Sequence, residues 1–234
     1  MSIVFQSLFS CTPELVVMDL DGTLVDSVPD LAKAIDQMLS QLGRQPAGEQ
    51  NIRRWVGEGA EQLVRRALAK DGSDAQAAKV SETLLANAMS CFFQNYTLCN
   101  GSHSLLYPAV IDTLKALKNK AIPMALVTNK PAQFTAPLLA QFGLDPYFDV
   151  VVSGDSLEHK KPHPEPLLYA AMRLQANPIN CVMVGDSRSD VEAARAAFFK
   201  VVCVDYGYNH GEPISQCNPD CLIESLDELV QGWL

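Results

Sequence analysis

The chain has 234 residues, of which 48% are hydrophobic and 19% are charged, a composition typical of a globular protein with a substantial core and not of a disordered chain. Its 18 basic and 27 acidic residues give a net charge of −9, which excludes a general electrostatic attraction to nucleic acids or anionic membranes, so an anionic substrate needs positive charge built locally. No apolar run approaches the ~20 residues that span a bilayer, and seven cysteines without a CxxC pair are typical of reduced thiols in a cytoplasmic protein.

The N-terminal segment MSIVFQSLFSCTPEL carries no basic residue ahead of its apolar ones and is short for a signal peptide. We expect it to be a brief lead-in to the first strand.

Five short runs are continuously apolar, a pattern typical of strands that are covered on both faces. They are LVVMDL (15–20), MALVTN (124–129), FDVVVSG (148–154), CVMVGD (181–186) and VVCVD (201–205). Helical patterns lie between most of the strands, at residues 110–120, 133–142, 165–174 and 190–197. This alternation predicts an α/β fold whose core is a Rossmann-like, doubly wound parallel sheet.

The interval between residues 31 and 105 breaks the alternation, because it contains no convincing strand. Helices are predicted there at residues 29–42, 59–69 and 74–96. An interval of about 75 residues is too long for a loop, so the sequence predicts an all-helical cap domain inserted after the first strand. We expect a cap of residues 28–105, a core of residues 1–27 and 106–234, and hinges at residues 25–28 and 99–108.

Polar and ionisable residues gather where the predicted strands end. The strand ends carry Asp19 and Asp21, then Thr128-Asn129-Lys130, then Asp186 with Asp190, and Lys160-Lys161 precedes the fourth strand. Ligands of open parallel sheets bind outside the carboxyl ends of the strands. Carboxylates that converge there need a cation, and hard oxygen ligands suit Mg²⁺.

Four of these stretches together resemble the motifs of the haloacid dehalogenase superfamily. They are DLDGTLVDS, TNK, KKP and GDSRSD, in the order and at the strand ends that the superfamily shows. The resemblance covers essentially the whole chain. The stretches VTNKP, KKPHPEPLL, VGDSRSDVEAARAA and VDYGYNHGEPI are most similar to the bacterial phosphoglycolate phosphatase branch, which carries a helical cap after its first strand.

The resemblance implies a nucleophile, an acid–base group and a metal site. Asp19 is expected to attack phosphorus and form an aspartyl-phosphate. The side chain of Asp21 is expected to protonate the leaving alcohol and then deprotonate the attacking water. Mg²⁺ is expected to be held by the Asp19 carboxylate, the Asp21 backbone carbonyl and the Asp186 carboxylate.

The same resemblance implies a phosphate-binding set. The Thr128 hydroxyl and the Asn129 backbone N–H are expected to contact the phosphoryl oxygens, and Gly22 is expected to let backbone N–H groups approach them. Lys161 is expected to supply the positive charge that compensates the transferring phosphoryl group. It is preferred to Lys160 because it directly precedes Pro162, as in the family pattern. Asp190 is expected to hold Lys161 or a metal-bound water.

Substrate selection is expected to come from the cap, in the stretch RRWVGEGAEQLVRRAL at residues 53–68. Arg66 is the leading candidate for gripping a substrate carboxylate, because a guanidinium matches a carboxylate bidentately. Arg54 and Arg65 are alternatives, as is a solvated helix face without such a role. Lys130 and Lys160 are expected to be solvated surface charges.

One position departs from the superfamily pattern. Phe198 follows the predicted helix 190–197, where the family usually has glycine or a small residue that closes the helix in a left-handed conformation. We expect a differently closed helix end, with Phe198 or Phe199 buried against the sheet.

These expectations describe a Mg²⁺-dependent phosphatase of a small phosphomonoester, with 2-phosphoglycolate as the leading substrate. A phosphatase of a sugar phosphate such as N-acetylmuramate 6-phosphate, or a phosphomutase, would use the same core. A non-catalytic phosphate-binding regulatory module is the alternative from another class. We expect no nucleic-acid or membrane partner, and a monomer or weak homodimer.

Overall fold

The computed structural model describes residues 1–69 and 72–233. Their strands form a parallel sheet of six and a small antiparallel pair. In chain order the strands are β1 (Leu15–Met18), β2 (Val25–Asp26), β3 (Leu105–Leu106), β4 (Met124–Val127), β5 (Val150–Val152), β6 (Cys181–Gly185), β7 (Lys200–Val204) and β8 (Cys221–Ile223).

The helices surround the large sheet or fill the interval between β2 and β3. They are α1 (Ile3–Leu8), α2 (Val28–Gln41), α3 (Glu49–Trp55), α4 (Ala60–Leu68), α5 (Asp74–Ala77), α6 (Glu82–Cys99), α7 (Val110–Asn119), α8 (Ala132–Phe142), α9 (Glu165–Arg173) and α10 (Arg188–Ala196). Of the described helices, none is both long and apolar enough to cross a membrane.

Strand β1 lies at the centre of the sheet, whose order is β5-β4-β1-β6-β7-β8. It pairs in parallel with β4 through Val16 and Met124 and with β6 through Val16 and Val182. The chain builds one half of the sheet from β4 and β5 and then crosses to build the other half, so the order reverses at β1. A crevice at such a point is the usual ligand site of an open α/β sheet.

Both faces of β1 are buried, which explains its unbroken apolar sequence. Val16 and Met18 pack into the cluster on one face of the sheet. Leu15 and Val17 pack into the cluster on the other face. The predicted α/β class and parallel sheet are therefore confirmed. Strands β1, β4 and β6 are one or two residues shorter than their apolar runs, β5 is four residues shorter, and β7 has the predicted length but begins one residue earlier.

Several short elements differ from the predictions. The N-terminal segment holds helix α1, whose Phe5 is buried with its ring centroid 5.7 Å from that of Trp233. Strand β8 and helix α3 were not predicted, and each is short or flanked by polar residues. The single helix predicted at 74–96 is two helices, because Ser81 accepts a hydrogen bond from Leu84 N–H and caps a new helix.

Helices α2, α3, α4 and α6 share a hydrophobic cluster of their own, and α5 packs on α4. Helix α2 packs chiefly on α6, and the cluster reaches the rest of the protein through Phe134 and Tyr208. The chain enters and leaves these helices through β2 and β3, which pair as Val25 with Leu106 and Asp26 with Leu105. We therefore propose that residues 28–105 are a cap domain and that this strand pair is its hinge.

Asp30 joins the two ends of the cap. Its buried carboxylate accepts hydrogen bonds from the backbone N–H groups of Gly101, His103 and Ser104 and from the Ser104 hydroxyl. A buried carboxylate needs several such donors. The first turn of α2 is thus tied to the returning hinge segment.

Helix α10 ends as a glycine-closed helix would, which corrects the prediction of a different closure. Phe198 adopts φ +62°, its N–H donates to Arg195 O, and the Phe199 N–H donates to Ala194 O. These two bonds are the Schellman pattern. Phe198 is 78% exposed and Phe199 is 3% exposed in the core, so the expected burial of one phenylalanine is confirmed.

Replacing Phe198 with glycine is expected to raise the free energy of unfolding by about 0.5–1 kcal/mol, because a left-handed conformation strains any residue with a Cβ. Chemical denaturation of the Phe198→Gly variant measures the change. The matched control Ala196→Gly, in the last turn of the same helix, should lower stability by about 0.5 kcal/mol. A less stable Phe198→Gly protein would show that the ring contributes more than its backbone strain costs.

Candidate active site

The carboxyl end of β1 and the segments beside it bring most of the predicted residues together. Asp19 follows β1 directly and is buried, and Lys161 Nζ lies 2.7 Å from its Oδ1. Oxygen atoms of Asp19, Asp186 and Asp190 lie within 4.8 Å of one another. Thr128 and Asn129, at the end of β4, line the same pocket as Asp19 and Asp21.

Three buried carboxylates share one buried ammonium group in this cluster. Lys161 is 2% exposed and contacts Asp190 Oδ1 at 2.7 Å as well as Asp19, and it donates to Val127 O at 2.8 Å. Burial, opposed by Lys161 and reinforced by Asp190 and Asp21, raises the pKa of Asp19 to about 7. Burial, then Asp190 and Asp19, raise the pKa of Asp186 well above its usual range. When all three carboxylates are ionised, the cluster carries more negative charge than its own lysine balances, and the raised pKa values of Asp19 and Asp186 reflect the cost of that state.

A divalent cation fits this unbalanced cluster. Asp186 is held on both oxygens, by the Thr23 hydroxyl at 2.9 Å and by the Tyr208 N–H at 2.8 Å, so its position is fixed beside Asp19. Carboxylate oxygens held in this way are ligands that Mg²⁺ prefers. We propose that the Asp19 and Asp186 carboxylates hold Mg²⁺, with the Asp21 backbone carbonyl as the third protein ligand.

Asp190 lies between the start of α10 and Lys161. Its Oδ2 accepts hydrogen bonds from the Ser187 N–H, the Ser187 hydroxyl and the Asp186 N–H. Its Oδ1 accepts a hydrogen bond from Lys161 Nζ. Ser187 and Asp190 form a capping box, so one carboxylate both begins the helix and aims the lysine. This placement agrees with the supporting role expected of Asp190 towards Lys161.

The structure gives a reason of its own for glycine at position 22, besides the expected approach of backbone N–H groups to the phosphate. Its N–H donates to Val25 O at 2.9 Å and is therefore not free for a phosphate. Gly22 has φ +91°, and a Cβ at this position would collide with the Asp186 carboxylate. Glycine here turns the chain after Asp21 and makes room for Asp186.

Lys130 was expected to be a solvated surface charge, and the structure corrects this. It is 5% exposed, and its Nζ lies 3.1 Å and 3.3 Å from the Asp21 carboxylate oxygens and 2.5 Å from the Tyr96 hydroxyl. Burial lowers the pKa of Lys130, but Asp21 and Tyr96 outweigh it and raise the pKa, so the ammonium stays charged. The available signal was its place in the TNK motif at a strand end.

Arg66 does not reach the site, which corrects its assignment as the leading substrate ligand. Its guanidinium is bound by Asp74 Oδ1 at 2.7 Å, by Glu58 Oε1 at 2.7 Å and by Trp55 O at 2.8 Å. These contacts lie within the cap, in a different hollow from the one that holds Asp19. The group is therefore a structural anchor of the cap.

Neither alternative arginine lines the pocket of Asp19. Arg65 pairs with Glu61 and Glu82 on the cap surface. Arg54 lies beside Gly211, where its backbone oxygen contacts His210 Nδ1 at 3.0 Å.

The cap loop between α3 and α4 closes over the sheet edge. Asn129 Nδ2 donates to Gly57 O at 3.0 Å and to Lys161 O at 2.9 Å, so one side chain joins the cap loop to the catalytic edge. Lys160 is exposed, as expected of a surface charge, and its Nζ also donates to Glu58 O at 2.7 Å, so it contacts the cap loop. The pocket is therefore lined both by residues of the proposed cap and by residues at the ends of β1 and β4.

Comparison with known proteins agrees with this architecture. A family model described as a haloacid dehalogenase-like hydrolase matches residues 13–197. The phosphoglycolate phosphatase of Nitrosococcus oceani is 47% identical over 217 residues, which cover 93% of this chain and 95% of that protein. The phosphoglycolate phosphatase of Pseudomonas putida is 48% identical, over 97% of this chain and 83% of that protein.

A solved structure is similar over nearly the same extent. The crystal structure of a predicted phosphoglycolate phosphatase from Haemophilus somnus 129PT superposes with a TM-score of 0.87 at 35% sequence identity, covering 95% of this chain and 98% of that one.

Proposed function

The chain belongs to the haloacid dehalogenase-like hydrolase family, and we propose that it hydrolyses 2-phosphoglycolate to glycolate and inorganic phosphate. The observation that carries the chemistry is the buried Asp19 carboxylate, paired with Lys161 and set beside Asp186 at the switch point of the sheet. The substrate follows from relatives 44–48% identical that are named phosphoglycolate phosphatase.

The first half of the reaction transfers the phosphoryl group to the protein. An oxygen of Asp19 attacks phosphorus, the bond from phosphorus to the glycolate oxygen breaks, and Asp21 gives its proton to that oxygen. Bound Mg²⁺ supplies the positive charge that lets a carboxylate approach a phosphate dianion. Lys161, the Thr128 hydroxyl and the Asn129 backbone N–H stabilise the charge that spreads over the phosphoryl oxygens.

The second half returns the enzyme to its starting state. Asp21, now ionised, takes a proton from a water molecule, whose oxygen attacks phosphorus and breaks the bond to Asp19. Inorganic phosphate leaves and the Asp19 carboxylate is restored. The closed cap loop at Gly57 and Glu58 keeps bulk water away from the aspartyl-phosphate, which limits its transfer to other acceptors.

A phosphate-release assay tests this proposal. The purified protein with Mg²⁺ is given 2-phosphoglycolate, ethyl phosphate, N-acetylmuramate 6-phosphate and a hexose phosphate, with chelator controls. Preference for 2-phosphoglycolate supports the proposal, and preference for either sugar phosphate replaces the substrate while keeping the chemistry. Isomerised sugar phosphate without net phosphate release indicates a mutase, and no turnover of any compound indicates a binding module.

Without Mg²⁺, stability is expected to fall as the pH rises from about 4 to above 7. The pKa of Asp19 is raised from 3.8 to about 7 on folding, so the folded state binds more protons than the unfolded state between these values. The stabilising effect of protonation is complete below pH ~4 and is lost as pH passes through ~7. The raised pKa of Asp186 acts in the same direction.

Mg²⁺ is expected to reverse this trend, because the cation replaces those protons. Thermal unfolding with and without Mg²⁺ should show a small shift in Tm near pH ~5 and one of several degrees near pH ~8. Asp186→Asn should remove most of the shift at the higher pH. A shift that is larger at acid pH would contradict the assignment of these carboxylates as the ligands.

A further inference from the structure

The pocket beside Asp19 has an apolar wall and little positive charge. Five of its lining side chains are large and apolar, four from the proposed cap and one from α8: Leu31, Val56, Leu63, Phe92 and Phe134. Gly57 and Gly59 of the cap loop line it with backbone. Lys130 is the cation among the described lining residues.

A substrate with two anionic ends needs a second cation here. Lys161 is committed to Asp19 and Asp190 at the phosphate end. A carboxylate placed against an apolar wall without a partner is strongly disfavoured. Arg66 is bound within the cap and Lys160 is bound to Glu58 O, so neither is free to receive it.

Lys130 has the contacts of a prepared anion site. Its Nζ is held by Asp21 from the core and by the Tyr96 hydroxyl from cap helix α6, and it lies 4.8 Å from the centroid of the Tyr96 ring. An ammonium group has three donors. When the two Asp21 oxygens, at 3.1 Å and 3.3 Å, share one of them and the Tyr96 hydroxyl takes a second, one donor is left for a third partner.

We propose, resting on the function proposed above, that Lys130 is the specificity-determining residue that binds the carboxylate of the substrate. The Tyr96 hydroxyl aims the ammonium group into the pocket. Because Lys130 belongs to the core and Tyr96 to the cap, the anion site is complete only when the cap is closed. A substrate with a carboxylate next to its phosphate ester therefore favours the closed state, in which water is excluded.

The alternative is that Lys130 acts only through Asp21, as a positioning residue for the acid. Comparing 2-phosphoglycolate with ethyl phosphate distinguishes the two roles. Ethyl phosphate has a methyl group in place of the carboxylate of 2-phosphoglycolate and a leaving alcohol of similar basicity. A defect in Asp21 slows both substrates alike, whereas loss of a carboxylate ligand slows only one.

The experiment compares Lys130→Met with the unmodified protein on both substrates in the presence of Mg²⁺. We expect kcat/KM for 2-phosphoglycolate to fall about 100-fold or more and kcat/KM for ethyl phosphate to fall less than about 10-fold. Lys33→Met, which changes an exposed lysine on α2, should leave the ratio of the two values unchanged. Equal losses on both substrates in Lys130→Met would overturn the proposal.

A second variant decides the matter if Lys130→Met does not fold. Tyr96→Phe keeps the ring and removes the hydroxyl that aims the ammonium group, so the preference for 2-phosphoglycolate should fall about 3- to 10-fold. An unchanged preference in this variant would then overturn the proposal. The proposed function fails separately, if the unmodified protein hydrolyses ethyl phosphate at least as well as 2-phosphoglycolate.

Discussion

Asp19→Asn is expected to lower phosphate release by at least about 10⁴-fold while the fold remains intact. An amide is a far weaker nucleophile than a carboxylate, and it cannot form the aspartyl-phosphate. Asparagine has nearly the same shape as aspartate, so the packing at the end of β1 is kept. The measurement is single-turnover phosphate release with Mg²⁺, together with circular dichroism and thermal unfolding.

The stability of the same variant gives an independent check. Since burial raises the pKa of Asp19, the folded protein without Mg²⁺ is destabilised when this group ionises. Asp19→Asn removes that charge, so near pH ~8 the variant without Mg²⁺ should unfold at the same temperature as the unmodified protein or higher. Asp145→Asn, at an exposed position, should change neither activity nor stability. Phosphate release at the unmodified rate by Asp19→Asn would refute the nucleophile assignment.

The sheet could be predicted because a strand that is buried on both faces has a continuous run of apolar residues. Each strand of the core is an unbroken apolar run, as in VVM of β1 and CVMVG of β6. The edge strand β8 has the sequence CLI, with Leu222 43% exposed, and was missed. The edge strand β5 is equally short and Val151 is 41% exposed, but it was predicted because its sequence VVV consists of β-branched residues. Helix α3 was missed for a related reason, since it is short and Ile52 is its buried residue.

The position of the candidate site could be predicted because the carboxyl ends of parallel strands lie at the same edge of a sheet. Asp19, Thr128 and Asp186 each follow a strand that the sequence identifies, so their proximity follows from topology. The side chains of the cap have no such constraint. Whether an arginine of α4 faces the pocket depends on how the helix is rotated against the sheet.

The predictions for Arg66 and Lys130 were wrong in opposite ways: Arg66 was expected in the pocket and lies outside it, whereas Lys130 was expected at the surface and is buried in the pocket. The sequence places Arg66 on a helix with other charges, but it does not show that Glu58 and Asp74 surround the guanidinium. Lys130 is one residue beyond Asn129, where a solvated charge is the usual expectation. Its burial depends on Tyr96, which is 34 residues earlier in the chain and reaches it only through the packing of α6.

Lys161→Met is expected to lower kcat/KM for 2-phosphoglycolate by about 10³-fold, because the transferring group loses the cation nearest to Asp19. Methionine is apolar and of similar length, so the variant removes charge with little change in volume. The loss of Lys161 also removes the group that lowers the pKa of Asp19. Without Mg²⁺, the decline in stability with rising pH should therefore extend to higher pH than in the unmodified protein.

The neighbouring lysine provides the matched control. Lys160→Met removes the hydrogen bond to Glu58 O that holds the cap loop, and it leaves the contacts of Lys161 with Asp19 and Asp190 in place. A looser cap weakens substrate binding more than it slows the chemical step, so Lys160→Met should raise KM by less than about 10-fold and change kcat little. Two adjacent residues of equal charge thus separate electrostatic stabilisation of the reaction from closure of the cap. If Lys160→Met lost more kcat than Lys161→Met, the charge that balances the phosphoryl group would have to be reassigned to Lys160.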